Sequence, residues 1–462
     1  MIAFYKEPSR RSARVRAKSQ DIEITDLDIK GCGVGKSNGK ACFVSGALPG
    51  ELVRITPFDH GRIIKGELIK VLRSSELRRE PFCPVQEQCG GCPLYYIDPG
   101  DALRFRLAGI RQLFRKNSGY ELGEPDFTGQ GSGMHYRRSA RLAVGFQGKK
   151  AYVGFREGKS HSVVPVSSCQ ILTPRLNELL PGLDDVLNRL DDKKALGHAD
   201  LADGDSTAGV SLRVTRELDD HDRTLLADFA REHGIYLSLI APRHPGGDVF
   251  VYQGPEDYDQ REEVEEKTLY APGDLYVTSD GLRLNFTPAA FVQVNREVNE
   301  MMVTKLLEYS GVDEGDGVLD LFCGFGNFSF ALAKRANFVV GADINSDMIS
   351  TARDNASALG FSNLYFINLN LDVPSSIREQ HWERENFDLA VLDPGRAGAL
   401  NAVKEIAALR IKRVVMCSCS PGSASRDSSV LSRAGYELEK YAVFDMFAYT
   451  SHIEMMMVFT LQ

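Results

Sequence analysis

The strongest constraint in this 462-residue chain is a regular alternation of strand and helix that begins near residue 285. Apolar, β-branched stretches predict five strands, and helical stretches separate them. The predicted strands are Gly317–Phe322, Phe338–Asp343, Leu364–Ile367, Phe387–Asp393 and Arg413–Cys419. This alternation is typical of a parallel sheet with helices on both faces, in which ligands lie at the carboxyl ends of the strands.

The ends of the first two strands predict a nucleoside-binding site. Gly324 and Gly326 follow the first strand, and residues without side chains let a ligand approach the backbone. Asp343 ends the second strand, where a carboxylate can accept hydrogen bonds from both ribose hydroxyls. Because the loop lacks the three-glycine dinucleotide pattern and Asp320 is unusual for NAD binding, we expect S-adenosylmethionine. A nicotinamide cofactor and a purely structural sheet are the alternatives.

Three more polar residues predict a reaction at the same edge. Asp393 ends the fourth strand, and Cys419 ends the fifth, with Cys417 on the same face but deeper in the sheet. Glu454 begins a final apolar strand. A helix N-cap would explain Asp393 alone, and a buried packing residue would explain a lone cysteine. Together with a methyl donor, however, a thiolate and a base indicate methylation of a pyrimidine at C5.

Four cysteines form a candidate metal site. Cys83, Cys89 and Cys92 have the spacing C-x₅-C-x₂-C, and Cys169 is a distant fourth. Four thiolates serve either zinc or an iron–sulfur cluster. Zinc usually prefers two paired C-x₂-C knuckles, so the lone distant cysteine favours a [4Fe–4S] cluster. We expect a structural or RNA-positioning role for it, with electron transfer as the alternative.

Composition limits the partners and the compartment. The net charge of −8 argues against a uniformly cationic nucleic-acid binder, so any nucleic-acid binding must come from local basic patches such as residues 1–20. The alternative for that segment is a solvated tail. No apolar run predicts a membrane span or a signal peptide. We therefore expect a cytoplasmic, monomeric protein, without structural disulfides, that binds neither membrane nor DNA.

The first half of the chain predicts two further folding units. Short strands with Gly-rich turns over 21–73 suggest a small β-barrel of the OB type, although an SH3-like or purely structural barrel fits as well. Residues 101–116 predict a helix with several basic side chains. Residues 129–280 mix strands and helices, and the charged stretch 184–205 predicts a surface excursion.

These segments together resemble the RNA uracil-C5 methyltransferases, and most closely the members that act on 23S ribosomal RNA at uridine 1939. The resemblance covers nearly the whole chain, including the basic arm, the barrel and the four cysteines. Its catalytic blocks are Phe291–Asn295, Asp320–Phe328, Asp393–Gly398, Ser418–Pro421 and Asp445–Glu454.

The resemblance implies a role for individual residues. It places Cys419 as the nucleophile that attacks C6 and Glu454 as the base that removes the C5 proton. Residues expected to contact S-adenosylmethionine are Gln293, Phe322, Asn327, Asp343, Asn370 and Asp393. The implied [4Fe–4S] ligands are Cys83, Cys89, Cys92 and Cys169, and the implied RNA contacts are Phe291, Arg138 and Arg141.

The implied fold class is α/β: a Rossmann-like methyltransferase domain, an N-terminal β-barrel of the TRAM/OB type and an α+β central domain that holds the cluster. The expected boundaries are 1–20 for the arm, 21–73 for the barrel, 74–94 and 129–280 for the central domain, and 95–128 and 281–462 for the methyltransferase domain. Three positions depart from the usual family pattern: Ser420 replaces Asn, Gly395 replaces Ala, and Asp343 replaces Glu. Of these, Ser420 bears most on base contacts and rate.

Two other functions remain open from the sequence. The first is the same chemistry on a different 23S uridine or on a tRNA T-loop uridine. The barrel and the cysteine cluster argue against the tRNA substrate. The second is a noncatalytic RNA-binding factor for ribosome assembly. The presence of Cys419, Glu454 and Asp343 opposes that second alternative.

Overall fold

The structure is a computed structural model, and it describes residues 18–158, 160, 162–242, 264–380 and 387–462. The predicted basic arm lies outside the described residues except for its last three positions. Internal contacts divide the chain into two units. The smaller unit comprises Met1–Glu80 and Tyr96–Gly109, and the larger comprises Pro81–Tyr95 and Ile110–Gln462. The predicted border between the central and methyltransferase domains lies within the larger unit and stays a prediction.

The smaller unit contains a closed five-stranded barrel, as the sequence predicts. Its strands are β1 (Gln20–Leu27), β2 (Gly33–Ser37), β3 (Lys40–Val44), β4 (Leu52–Asp59) and β5 (Ile63–Arg73), in the order β1-β2-β3-β5-β4. Gly66 faces its interior, where an added Cβ would approach Val44 at 2.8 Å and Ile55 at 2.9 Å. The apolar side chains of the barrel core can therefore pack closely because position 66 has no side chain. Helix α1 (Pro99–Ser118) begins in this unit.

The larger unit begins its sheets with the short strand β6 (Phe127–Gly129), which joins the eight-stranded sheet described below. The chain then builds a seven-stranded sheet of order β13-β12-β11-β10-β7-β8-β9, against which two helices pack. Its elements are β7 (Ser139–Gln147), β8 (Lys150–Arg156), β9 (Val163–Pro165), α2 (Pro174–Arg189), β10 (Leu196–Asp203), β11 (Ala208–Val214), α3 (Asp220–His233), β12 (Tyr236–Pro242) and β13 (Val264–Tyr270).

The predicted surface excursion over 184–205 is wrong. Its first part completes α2, and its last part is β10, a central strand between β7 and β11. The charged side chains that suggested a loop have internal partners. Asp184 accepts from the Val153 amide at 2.7 Å, and Asp200 forms a bidentate pair with Arg141.

The remaining elements form a β-ribbon and an eight-stranded sheet of order β18-β17-β16-β19-β20-β22-β21-β6. The ribbon is β14 (Tyr276–Ser279) with β15 (Leu282–Asn285), followed by α4 (Arg296–Ser310). The sheet elements are β16 (Gly317–Leu321), α5 (Ser329–Ala333), β17 (Phe338–Asp343), α6 (Ser346–Ala358), β18 (Leu364–Asn368), β19 (Leu389–Leu392), α7 (Leu400–Leu409), β20 (Arg413–Ser418), α8 (Pro421–Arg433), β21 (Tyr436–Phe444) and β22 (Glu454–Leu461).

This sheet confirms the five predicted strands. Strands β16 to β20 run parallel, and their fully buried Val, Leu and Ala side chains explain the continuous apolar runs. Antiparallel β22 inserts between β20 and β21, so Glu454 at its start lies at the same edge as the end of β20. Among the described helices, none has the length and apolar character needed to cross a membrane.

Candidate active site at the carboxyl ends of the parallel strands

The loop after β16 has an unusual backbone and connects the ends of β16 and β17. Phe322 has φ 62°, Gly324 φ 58° and Gly326 φ 98°, so the chain turns sharply as it leaves the strand. A Cβ on Gly326 would lie 2.7 Å from the Phe330 ring. The Gly324 amide donates to Asp343 at 3.0 Å, which joins this loop to the end of β17.

Asp343 and Asn370 follow neighbouring strands. The second carboxylate oxygen of Asp343 accepts from the Asn345 amide at 2.8 Å, and Asn370 accepts from the Asp372 amide at 3.0 Å. Each carboxylate oxygen has two lone pairs, so Asp343 can still accept from ribose hydroxyls. The structure thus positions both side chains by backbone hydrogen bonds, and their contact with a cofactor stays a prediction.

Asn327 has a partner that the sequence did not reveal. Its side-chain amide forms a reciprocal pair with that of Asn299 on α4, with distances of 2.9 and 3.0 Å. Asn299 is buried on the apolar face of α4. A polar residue at a core position of this helix was the feature of the sequence that could have indicated a buried partner. Because the pair uses one donor and one acceptor of Asn327, its orientation is fixed before any ligand binds.

Gln293 connects Asp393 to a buried arginine. The side-chain amide of Gln293 donates to Asp393 at 3.2 Å, and the backbone carbonyl of Gln293 accepts from Arg138 Nε at 2.9 Å. Arg138 is only 4% exposed, and burial lowers the pKa of its guanidinium to about 10. The structure therefore places Arg138 behind the site, next to Gln293, and an RNA contact for it stays a prediction.

Cys419 lies between the end of β20 and the start of α8. Ser420 is the N-cap of α8 and accepts from the Ser423 amide at 3.4 Å, so it performs the capping role that an asparagine would perform. Burial, followed by the charges of Glu454 and Asp393, raises the pKa of the Cys419 thiol to about 12, whereas the charge of Arg396 lowers it. Cys417, two residues earlier, is fully buried in the core.

Glu454 is a buried carboxyl beside other acids. It is 5% exposed, and its Oε1 has no hydrogen-bond partner among the described residues. Burial, followed by the charge of Asp393, raises the pKa of Glu454 well above its usual value, and burial also raises the pKa of Asp393. Glu454, Asp393 and Cys419 thus influence one another's protonation, which is the behaviour expected of one proton-handling site.

Asp320 lies beneath this site, inside β16. It is fully buried, accepts a hydrogen bond from Ser329, and has a second oxygen without a described partner. Burial, helped by the charges of Asp393 and Asp343, raises the pKa of Asp320 to about 7. A carboxyl in this position is protonated over part of the neutral range.

The other two predicted RNA contacts, Phe291 and Arg141, are both exposed, but only Arg141 has an ion-pair partner among the described residues. Phe291 is 59% exposed, an unusual state for a large aromatic ring and one that leaves a face free for stacking. Arg141 is also exposed, but it forms a bidentate pair with Asp200 at 2.6 and 3.1 Å. Both side chains therefore lie at the surface, and their contact with RNA stays a prediction.

All four candidate metal ligands line one cavity of about 190 Å³: Cys83, Cys89, Cys92 and Cys169. Burial, with the charges of the neighbouring thiols, raises the pKa of Cys89 and brings that of Cys92 to about 12. No three of the four sulfur atoms lie within 4.8 Å of one another. The thiols converge loosely, and a bound cation would be needed to hold several of them as thiolates.

A second group of possible ligands, Asp191, His221 and Asp222, has a structural explanation. Their side-chain ligand atoms lie within 4.8 Å of one another. The buried Asp222 carboxylate, however, accepts from the Asp191 and Asp192 amides at 2.8 and 3.0 Å. It fixes the turn after α2, and we assign it no metal.

Comparison with known proteins identifies the family. The family model described as tRNA (Uracil-5-)-methyltransferase matches residues 127–461, and the TRAM domain model matches residues 14–56. The chain belongs to the RNA uracil-C5 methyltransferase family. Two relatives are the proteins named 23S rRNA (uracil(1939)-C(5))-methyltransferase RlmD from Shewanella sp. (strain MR-4) and Vibrio cholerae (strain O395). Both are 36% identical to this chain; the alignment covers 100% of both chains for the Shewanella protein and 99% of both for the Vibrio protein.

A solved structure shows the same fold over almost the whole methyltransferase. It is the Pyrococcus abyssi tRNA (uracil-54, C5)-methyltransferase in complex with S-adenosyl-L-homocysteine, with a TM-score of 0.69 and 22% identity. The similarity covers 96% of this chain and 100% of that chain. Because a tRNA enzyme shares nearly the full architecture, the fold by itself does not separate an rRNA substrate from a tRNA substrate.

Proposed function

We propose that this methyltransferase transfers a methyl group from S-adenosylmethionine to C5 of a uridine in 23S ribosomal RNA, the uridine 1939 class. The observation that carries the proposal is the meeting of Cys419, Glu454 and Asp393 at the edge of the sheet where the glycine loop ends. The full-length relatives named as 23S rRNA enzymes support the choice of RNA.

The chemistry follows from the reactivity of uracil, whose C5 is not nucleophilic by itself. Cys419 forms a bond from its sulfur to C6, which makes C5 an enolate-like nucleophile. S-adenosylmethionine, when bound, supplies the electrophilic methyl group that C5 accepts. Glu454 then takes the C5 proton, the C5–H electron pair restores the C5–C6 double bond, and the Cys419 thiolate leaves.

The protein must handle two protons during this cycle. The raised pKa of Cys419 means that its thiol is mostly protonated before attack, so a basic or positive neighbour is needed. Arg396 lowers the pKa of Cys419, and its charge favours the attacking thiolate. The raised pKa of Glu454 suits a base that must hold a proton until RNA leaves.

The residues at the neighbouring strand ends fit the methyl donor. Asp343 has lone pairs free for ribose hydroxyls, and the side chains of Gln293 and Asn327 are already oriented by Asp393 and Asn299. Phe322 and Asn370 complete the proposed cofactor contacts. For the RNA, the exposed Phe291 ring offers a stacking surface for a base outside its helix.

We further propose that the four cysteines hold a [4Fe–4S] cluster. A single zinc ion with Zn–S bonds near 2.3 Å needs sulfur atoms about 3.8 Å apart. The wider spacing of these thiols suits a cluster of several irons better. The cavity, the partial burial and the four thiols fit such a group, and methyl transfer itself requires no electrons from it.

The substrate is tested in a strain of the source organism that lacks this protein. 23S rRNA and bulk tRNA are mapped by mass spectrometry after complementation with the wild type, with Cys419→Ala, or with empty vector. We expect one C5-methyluridine in 23S rRNA that the wild type restores and Cys419→Ala does not. An unchanged 23S profile would contradict the proposal, and a lost tRNA methylation would favour the tRNA alternative.

The same variants test the noncatalytic alternative. A ribosome-assembly factor would support normal growth and subunit profiles with Cys419→Ala, and 23S methylation would not depend on the cysteine.

We also propose that the protein is a monomer in the cytoplasm. Sedimentation of the purified full-length chain measures the oligomeric state. A stable dimer at low micromolar concentration would exclude that part.

A further inference from the structure

The segment that leads into the base Glu454 is a loop held at several backbone positions. We call residues 445–453, between β21 and β22, the base loop. Its first amide, of Asp445, donates to the Gly129 carbonyl at 2.8 Å. Inside the loop, the Thr450 amide and hydroxyl both donate to the Phe447 carbonyl, at 3.0 and 2.8 Å. The base loop is therefore a defined turn that ends at Glu454.

The middle of the base loop is strained. Tyr449 has φ 65°, in the left-handed region that a bulky side chain rarely adopts. Such a conformation is unfavourable for a tyrosine and persists only where the surroundings determine it. The contacts that hold Tyr449 are therefore informative about what this loop is for.

The contacts that hold this part of the base loop come from segments more than 300 positions earlier in the chain. The Phe82 ring packs against the Tyr449 ring with centroids 4.9 Å apart. The Leu94 amide donates to the Tyr449 carbonyl at 2.9 Å, and the Tyr136 hydroxyl donates to the Ala448 carbonyl at 3.0 Å. Tyr136 is only 6% exposed, so its hydrogen bond is shielded from water.

Two of these partners belong to the cysteine-rich loop. Phe82 directly precedes Cys83, and Leu94 lies two residues after Cys92. Both Cys92 and Cys169 also pack against the same apolar core as Phe447 and Tyr449. The cysteine-rich loop, which carries Cys83, Cys89 and Cys92, is thus attached to the base loop by a ring contact and a backbone hydrogen bond.

Glu454 depends on this attachment more than an ordinary carboxylate would. Its Oε1 has no hydrogen-bond partner among the described residues, so side-chain hydrogen bonds to that oxygen do not set its direction. The backbone just before Glu454 must then do much of the aiming. Loss of about 1 Å in position is enough to slow a proton transfer strongly.

We propose that Phe82, Leu94 and Tyr136 are positioning residues that hold the base loop, so that the cysteine-rich loop orients Glu454 for removal of the C5 proton. This inference rests on the proposed function and assigns the cysteine-rich loop a role in the second half of the reaction. The first half, in which the Cys419–C6 and C5–methyl bonds form, does not use Glu454. A loosened base loop therefore leaves the methylated adduct intact and slows only its resolution.

The two halves can be measured separately. With 5-fluorouridine RNA, the C5 position carries no proton after methyl transfer, so the rate of trapping reports the first half alone. With ordinary uridine RNA, turnover requires both halves. The test variant is Tyr136→Phe, which removes one hydroxyl. Its matched control is Tyr120→Phe, whose hydroxyl donates to the Tyr436 carbonyl at 2.7 Å, at the opposite end of β21.

For Tyr136→Phe we expect uridine turnover to fall about 10-fold, trapping to stay within about twofold, and a covalent adduct with ordinary RNA to accumulate. Tyr120→Phe should leave both rates within about twofold. Phe82→Ala should behave like Tyr136→Phe at unchanged metal content, and Phe82→Leu should recover part of the loss. Phe82→Ala also serves if Tyr136→Phe does not fold.

Two outcomes would overturn the proposal. In the first, trapping and turnover fall together, which indicates a general structural role. In the second, turnover stays at the wild-type rate in both Tyr136→Phe and Phe82→Ala. Failure of the proposed function looks different, since the wild type itself would then trap no 5-fluorouridine RNA.

Discussion

Cys419 experiences opposing electrostatic influences that decide when it can react. Burial and two nearby carboxyls raise the pKa of its thiol to about 12. The positive charge of the Arg396 side chain lowers this pKa. A thiol with a raised pKa becomes a thiolate only as the pH rises. The first half of the reaction should therefore accelerate with pH through the alkaline range.

This residue-scale account predicts the effect of Arg396→Gln. Removing the positive charge leaves less thiolate at a given pH, so 5-fluorouridine trapping at pH 7.5 should slow by about 2- to 5-fold. Raising the pH should recover the lost rate, and Arg396→Lys should remain close to wild type because it retains the charge. A loss that is independent of pH would instead assign Arg396 to RNA binding.

Asp320 allows a prediction about stability. Its folded-state pKa of about 7 exceeds the ordinary value of 3.8, so between these values the folded protein retains a proton that the unfolded chain has lost. Stability should then fall as the pH rises from about 4 to 7 and stay lower above that. The loss is on the order of 2–4 kcal/mol.

Asp320→Asn removes this titration and keeps an oxygen that can accept from Ser329. We expect its melting temperature to change less with pH than that of the wild type, measured by calorimetry at pH 5 and pH 8. Parallel pH profiles for the two proteins would show that Asp320 is ionised in the folded state throughout.

At the scale of elements, helix α8 begins two residues after Cys419, the proposed nucleophile. Ser420 caps it, and serine and asparagine are comparable N-caps. Ser420→Asn should therefore change stability by less than about 0.5 kcal/mol, whereas Ser420→Ala should cost about 1 kcal/mol. Denaturant unfolding measures both. Equal losses in the two variants would mean that the hydroxyl has another partner.

The elements also show what local sequence can and cannot predict. Strands β16, β17, β19 and β20 were predictable because both faces are buried, which produces continuous apolar runs, and their ends placed Asp343, Asp393 and Cys419 at one edge. Strand β10 was missed because His198, Asp200 and Asp203 interrupt its apolar run, although Asp200 has an ion-pair partner in Arg141. A charged residue predicts a loop only until its partner is known.

The partners of the site residues were harder to foresee for the same reason. Asn327 pairs with Asn299, and Arg138 donates to Gln293 across 155 positions of the chain. Nothing in the local pattern around Arg138 predicts burial, since Arg137 and Arg141 flank it. Such contacts join segments that are far apart in sequence, so they require the fold.

At the scale of the whole molecule, Cys169 joins segments far apart in sequence. If the four cysteines hold one cluster, Cys169→Ala should lose most of the bound iron and lower the melting temperature by several degrees, because metal binding is coupled to folding. Cys32→Ala, at a partly exposed cysteine outside the cavity, is the matched control and should keep its iron. Iron analysis and calorimetry of the purified proteins provide both readouts, and equal iron in the two variants would reject the cluster.

The central claim is that Cys419 becomes covalently attached to the RNA. The most direct measurement incubates the full-length protein with S-adenosylmethionine and 23S rRNA fragments that contain 5-fluorouridine at the target position, followed by nuclease and protease digestion and mass spectrometry. We predict a methylated fluorouridine joined to the peptide that contains Cys419, and no adduct with Cys419→Ala. An adduct on another cysteine, or trapping that persists in Cys419→Ala, would contradict the account.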